Sequence, residues 1–186
     1  MSWSKIAKRI RVPLGFALAI AYFWLAQPTW KSIAIGGAVA IVGVLIRASA
    51  SGHVKKNEEL TTTGLYAYTR NPLYLGSIVI AAGFAIAAQS WWIIAILVVM
   101  FVAIYVPVIR GEEAFLRTTF PQQFEEYCRR VPRLIPRLTR AQGAGVNEGY
   151  GGFSTALYRK HREYNAALGT AAMLAALAAK LVWFQH

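Results

Sequence analysis

Long apolar runs alternate with short polar stretches along this chain. Residues 12–26, 32–50, 73–88, 91–109 and 166–184 hold most of the aliphatic side chains, and the charges fall almost entirely between them. A bilayer core of about 30 Å takes ~20 helical residues to cross, with ~17–25 usual. By that measure the second, fourth and fifth runs are long enough, whereas the first and third are short. Trp24 and the basic turn before Pro13 can anchor the first at the interface, and the third can start within the headgroups or tilt. The pattern predicts an all-α integral membrane protein with about five transmembrane helices. The first run follows Lys5, Lys8, Arg9 and Arg11 as a signal peptide would. No small-x-small cleavage site with a polar mature start follows it, so it is read as a retained first span.

Composition strengthens this picture. Only 15% of the 186 residues are charged and 56% are hydrophobic, whereas a soluble domain carries about 25% charged residues. Cys128 is the single cysteine, which excludes a disulfide framework.

Charge supplies an orientation. With the N-terminus and residues 47–70 and 110–162 on one side, 18 of the 20 Lys and Arg lie there, and only Lys31 and Lys180 fall elsewhere. The positive-inside rule then predicts a cytoplasmic N-terminus and an external C-terminus. All eight Glu share the cytoplasmic side, and Trp24, Trp30, Trp91, Trp92 and Trp183 sit at the expected outer ends, where interfacial Trp is enriched. The net charge of +12 is read as topology signal and attraction to anionic lipid, not as nucleic-acid binding. Four segments follow: helices 1 and 2 in 1–56, a functional core in 57–140, a glycine-rich linker in 141–152, and an interfacial segment with the last helix in 153–186.

Function is expected where polar residues converge on the cytoplasmic side. Arg70-Asn71-Pro72 opens the third apolar run. Asn suits a helix N-cap and Pro a first helical position, and the free N–H groups there attract anions. Tyr74 lies about one turn in. At the end of the fourth run stand Arg110, Glu112 and Glu113, and carboxylates at a membrane boundary need partners. Glu113 can pair with Arg117 at i,i+4. Glu112 projects about 100° away without such a neighbour, which makes it the better functional candidate. Phe115, Leu116, Phe120, Phe124 and Tyr127 predict an amphipathic helix on the membrane surface, and the prolines of 131–136 end it. Residues 158–164 read as an interfacial anchor. No metal site is expected, since His161 lacks ligand neighbours at usable spacing, and no glycine-rich dinucleotide fingerprint or P-loop is present.

Taken in order, Gly64-Leu65-Tyr66, Arg70-Asn71-Pro72-Leu73-Tyr74-Leu75-Gly76, Glu112-Glu113, Phe120-Pro121-x-x-Phe124-x-x-Tyr127 and Val131-Pro132-Arg133-Leu134-Ile135-Pro136 resemble the isoprenylcysteine carboxyl methyltransferase and phospholipid methyltransferase superfamily. The resemblance covers about residues 57–136. It implies a helical membrane enzyme that uses S-adenosylmethionine in a cytoplasm-facing pocket at the ends of helices 3 and 4, with a lipid or lipidated acceptor arriving from the bilayer. The implied cofactor contacts are Glu58, Glu59, Leu60, Thr61, Tyr66, Asn71, Pro72, Leu73, Tyr74 and Glu112; the chemistry of a carboxylate at the helix start adds Arg70, and Glu112, Glu113 and Arg110 are the candidate reaction residues. Three positions depart from the family pattern. Asn71 replaces the usual His, Glu58 replaces a His ahead of the glycine turn, and Arg110 stands closer to the Glu pair than the family's acceptor-contacting Arg. Two other readings stay open: a reduced-nicotinamide-dependent sterol-type reductase, and a non-enzymatic membrane adaptor. Oligomeric state is not legible.

Overall fold

A computed structural model describes residues 15–54, 59–142 and 152–184. Helices α1 (Gly15–Leu25), α2 (Trp30–Ser51) and α3 (Pro72–Ala88) are followed by α4 (Trp91–Met100), α5 (Val106–Thr119), α6 (Pro121–Arg130), α7 (Thr155–Lys160) and α8 (Tyr164–Phe184). No strand occurs among the described residues. Trp30–Ser51, Trp91–Thr119 and Tyr164–Phe184 are long and apolar enough to cross a membrane, and Gly15–Leu25 and Pro72–Ala88 are shorter apolar helices. The chain is a multi-pass, all-helical membrane protein. The start of the expected first span, Glu58, and residues 143–151 of the expected linker lie outside the described residues.

The helix of the fourth apolar run does not stop where the run ends at Ile109. Helix continues from Trp91 to Thr119 over 29 residues, and α4 passes into α5 through a wide π turn at Phe101–Tyr105. Pro107 follows directly. A proline cannot donate to the carbonyl one turn back and its ring crowds that carbonyl, and a widened turn just before it absorbs the misfit. Glu112 and Glu113 therefore sit in mid-helix.

The chain divides into two compact units, each assembled from separated stretches. The first comprises 1–42, 79–111 and 167–186. Tyr22, Ala26, Ala87, Ala88, Ile93 and Leu177 form its core, with Ile33, Phe84, Leu97 and Met173 against it. The Tyr22 hydroxyl donates to Phe84 O at 2.8 Å and Ser32 Oγ to Ala87 O at 3.0 Å. Small residues let α2 approach α3: a Cβ on Gly36 would collide with Gly83 O and Ala87 N, and one on Gly83 with Gly36 O and Ala40 N. Such close packing is how helices associate where surrounding lipid is as apolar as the side chains. Lys180, one of the two cations left outside the basic face, donates to the carbonyls of Phe23, Trp24 and Ala26 at 2.5, 3.2 and 2.8 Å. It thus caps the C-terminal end of α1, whose orphan carbonyls carry the negative pole of the helix dipole. Trp24, Trp30, Trp91, Trp92 and Trp183 are all exposed.

The second unit comprises 43–78 and 112–166. Leu60, Phe124, Tyr127, Val131 and Ala141 form its core, with Leu116, Phe120 and Cys128 packed against them. Part of the apolar stripe expected to make an amphipathic helix on the membrane through residues 115–127 is thus covered by protein. The helix breaks at Phe120, where Pro121 begins α6, and Phe124 and Tyr127 turn into protein; of the stripe, Phe115 alone is as much as half-exposed. An apolar stripe at helical spacing marks a buried face but does not say whether protein or lipid buries it.

Candidate functional site

The site is assembled within the second unit. A short 3-10 helix, Gly64–Ala67, presents Tyr66. Gly64 has φ +58°, and a Cβ there would lie 2.7 Å from His53 Cδ2, so both backbone and space require glycine. Tyr127 donates its hydroxyl to Tyr66 O at 2.7 Å and fixes the turn from beneath. The residues after the turn are stitched to the chain beyond α6. Arg137 N donates to Tyr68 O at 3.0 Å, Arg70 N to Pro132 O at 2.9 Å, and Thr69 Oγ1 to Leu134 O at 3.0 Å. The Pro-rich stretch 131–137 thus acts as a clamp on 68–70.

That clamp delivers Arg70 and Asn71 to Glu113. Asn71 stands where an N-cap should, its carbonyl accepting from Leu75 N at 3.0 Å. Its side-chain amide goes elsewhere, donating to Glu113 Oε1 at 3.2 Å and Arg133 O at 3.0 Å. Glu113 Oε2 accepts from Arg133 Nε at 2.9 Å and pairs with Nη2 at 2.7 Å, while Oε1 lies 3.4 Å from Arg70 Nη2. The i,i+4 pairing of Glu113 with Arg117 is not made; Arg117 binds Glu125 at 2.9 Å. Arg70 Nε is buried and has no hydrogen-bond partner. A buried guanidinium N–H without an acceptor is costly.

A second ion pair stands near Tyr66. Arg47 grips Glu163 through Nε and Nη2 at 2.8–3.0 Å and gives Nη1 to Ser77 Oγ at 2.6 Å and Leu73 O at 3.3 Å. Burial pushes the Tyr66 phenol well above its ordinary range; the Glu112 and then the Glu163 carboxylates add to the rise, and Arg47 opposes it. Tyr66 is therefore a neutral phenol beside two carboxylates and a guanidinium.

Of the residues expected from sequence, Leu60, Thr61, Tyr66, Asn71, Pro72 and Glu113 are buried in this unit. Arg70, Leu73, Tyr74 and Glu112 are partly exposed there, and Glu59 is exposed. Arg110 belongs to the first unit and is exposed. Sequence reasoning missed Arg133, Arg47, Glu163 and Tyr127. Signals existed for two: Arg47 is a charge within the second apolar run and Glu163 is the lone acid among Arg159, Lys160 and Arg162, and each needs a partner at a membrane boundary.

The phospholipid methyltransferase family model matches residues 10–123. The chain is 36% identical over 142 residues to the cobalt-zinc-cadmium resistance protein CzcN of Cupriavidus metallidurans, covering 72% of this chain and 64% of that protein. It is 34% identical over 119 residues to the nickel-cobalt-cadmium resistance protein NccN of Alcaligenes xylosoxydans xylosoxydans, covering 59% of this chain and 55% of that protein. The chain thus spans less than two thirds of the length of these relatives. No solved structure matches it. The matched region carries Tyr66, Arg70, Asn71, Glu112 and Glu113, and the chain belongs to the phospholipid methyltransferase family.

Proposed function

We propose that the chain is an S-adenosylmethionine-dependent methyltransferase acting on a lipidic acceptor, with its site on the cytoplasmic side. The observation that carries this reading is the buried, unpartnered Nε of Arg70, in a guanidinium held by Glu113 beside the start of α3. A carboxylate is the group that satisfies such a donor, and guanidinium binds it in a planar fork. S-adenosylmethionine offers one, so the residues present fit the cofactor. Arg70 would hold that carboxylate, Glu112 its ammonium, and Tyr66 with Leu60 the adenine. When bound, the sulfonium supplies an electrophilic methyl group.

The chain's own residues then have two tasks: to align donor with acceptor and to exclude water. Tyr66, anchored by Tyr127, supplies a rigid apolar wall. Glu113 already accepts from Asn71 and Arg133 and pairs with Arg70, which makes it a positioning residue. With Glu113 so engaged, Glu112 is the acid left for the cofactor's ammonium; a carboxylate acceptor needs no base. The names of the two relatives speak of metal resistance in those proteins. Among the described residues of this chain no group of three His, Cys, Asp or Glu is placed to hold a metal ion, and no step proposed here calls on one. The basic bias of 18 of 20 Lys and Arg supports the cytoplasmic placement.

The test is transfer of label from methyl-labelled S-adenosylmethionine into lipid by the protein in nanodiscs made with a bacterial lipid extract. Organic-soluble label is expected, alkali-labile for a carboxylate acceptor and alkali-stable for an amine. Label no greater than with Glu112→Gln would overturn the reading.

A further inference from the structure

We propose that the loop 133–138 is a membrane-docking surface whose Ile135 and Leu138 insert among the headgroups and upper acyl chains of an anionic leaflet. Ile135 is 80% and Leu138 100% exposed, whereas the tips of connecting segments are ordinarily polar. The backbone beneath them is held firmly. The same donors that clamp 68–70, Arg70 N to Pro132 O, Thr69 Oγ1 to Leu134 O and Arg137 N to Tyr68 O, fix the loop at both ends. The two side chains are therefore displayed on a fixed scaffold, almost uncovered by the described residues.

Position and charge name the occupant. Residues 68–70 stand just ahead of Pro72, where the apolar helix α3 begins, so the clamp holds the loop beside the start of that helix. Between 129 and 142 the chain has five arginines and no acidic residue. On α6, Glu125 is already engaged by Arg117. Arg129, Arg130, Arg133 and Arg137 are exposed; Arg133 is paired with Glu113, and Arg137 Nη1 bonds Arg130 O at 2.6 Å, which ties Arg137 to the end of α6. Exposed aliphatics flanked in sequence by exposed arginines match a surface of hydrocarbon beneath phosphate. A soluble acidic protein would answer the charge but not the apolar tip. Docking here is independent of the chemistry proposed above and would hold in a protein that transfers no methyl group.

Depth-dependent quenching tests it. The full chain carrying Cys128→Ser and Leu138→Cys is labelled with an environment-sensitive fluorophore and placed in phosphatidylcholine nanodiscs with brominated acyl chains, with and without phosphatidylglycerol. Blue-shifted emission quenched several-fold by bromolipid is expected, stronger with the anionic lipid and weakened by Arg129→Gln with Arg137→Gln. The same label through Gln122→Cys, on the exposed face of α6, reports the aqueous reference. Water-like, unquenched emission at 138 overturns the proposal. So does shielded emission without bromolipid quenching, which would mean that protein, such as a second copy, covers the loop. If Cys128→Ser does not fold, a photo-crosslinking amino acid at position 138 with Cys128 intact serves instead; lipid adducts support docking and protein adducts overturn it.

Discussion

Asn71 Nδ2 donates to Glu113 Oε1 across 3.2 Å, joining the residue that caps the third apolar helix to the middle of α5. The family resemblance places a histidine at this position, and the amide does what an imidazole N–H would do: give one hydrogen to a buried carboxylate. Asn71→Ala leaves that oxygen short of a donor and is expected to cost about 1–3 kcal/mol. Asn71→Asp sets a second carboxylate against Glu113 and costs more, whereas Asn71→His keeps a donor and costs less than either. Chemical denaturation in detergent gives the order; Asn71→His as damaging as Asn71→Asp would contradict it.

Glu113 is the common partner of Arg70, Arg133 and Asn71, so its loss strands charge. Arg70 and Glu113 side chains are each 11% exposed, while Arg133 is 52% exposed. Breaking a buried pair costs about 3–5 kcal/mol, and an exposed one about 0–1 kcal/mol. Glu113→Gln should therefore destabilise severely and Arg133→Gln mildly. Equal losses in thermal melts would show that solvent screens both pairs alike.

Tyr127 joins the core to the site through its 2.7 Å bond to Tyr66 O. Burial raises the phenols of both Tyr66 and Tyr127 above their ordinary 10.0 and raises the Cys128 thiol above 9.0. As pH rises past those ordinary values, the unfolded chain loses protons that the folded chain keeps. Stability is thus complete below about pH 9 and falls at more alkaline pH. Tyr127→Phe should cost about 0.5–1.5 kcal/mol at neutral pH and make the alkaline decline shallower, as read from melting temperature against pH. An unchanged slope would remove Tyr127 from the linkage.

Lys180 gives its ammonium to three carbonyls at the end of α1. Lys180→Met keeps the length and apolar stem but deletes the cap, an effect of about 0.3–2 kcal/mol for a cation at a helix C-terminus. Faster hydrogen exchange at residues 22–26, with exchange in α6 unchanged, is the expected result. Uniform exchange in wild type and variant would deny the cap.

The helical membrane architecture was legible because lipid demands length and apolarity, which composition displays directly. The start of α3 at Pro72 was legible from Asn71-Pro72, as was the separation of Glu112 from Glu113 by helical angle. What escaped were contacts between segments far apart in sequence. Arg133 lay within a stretch read only for its prolines, and Arg47 finds Glu163 across 116 positions. The protein cover over Phe124 and Tyr127 was not legible, because their spacing is the same whether protein or lipid covers them.

The most direct test of the account is calorimetric binding of S-adenosylhomocysteine to the nanodisc-embedded protein, in wild type and Glu112→Gln, with reduced nicotinamide dinucleotide phosphate as the competing ligand. Glu112 lies outside the Glu113 network, so its amide variant should melt with the wild type when no ligand is present. The account predicts that wild type binds S-adenosylhomocysteine, that Glu112→Gln binds at least about tenfold more weakly, a loss of about 1.4 kcal/mol, and that the nicotinamide compound does not bind. Binding of the nicotinamide compound alone, or equal S-adenosylhomocysteine affinity in both proteins, would contradict it.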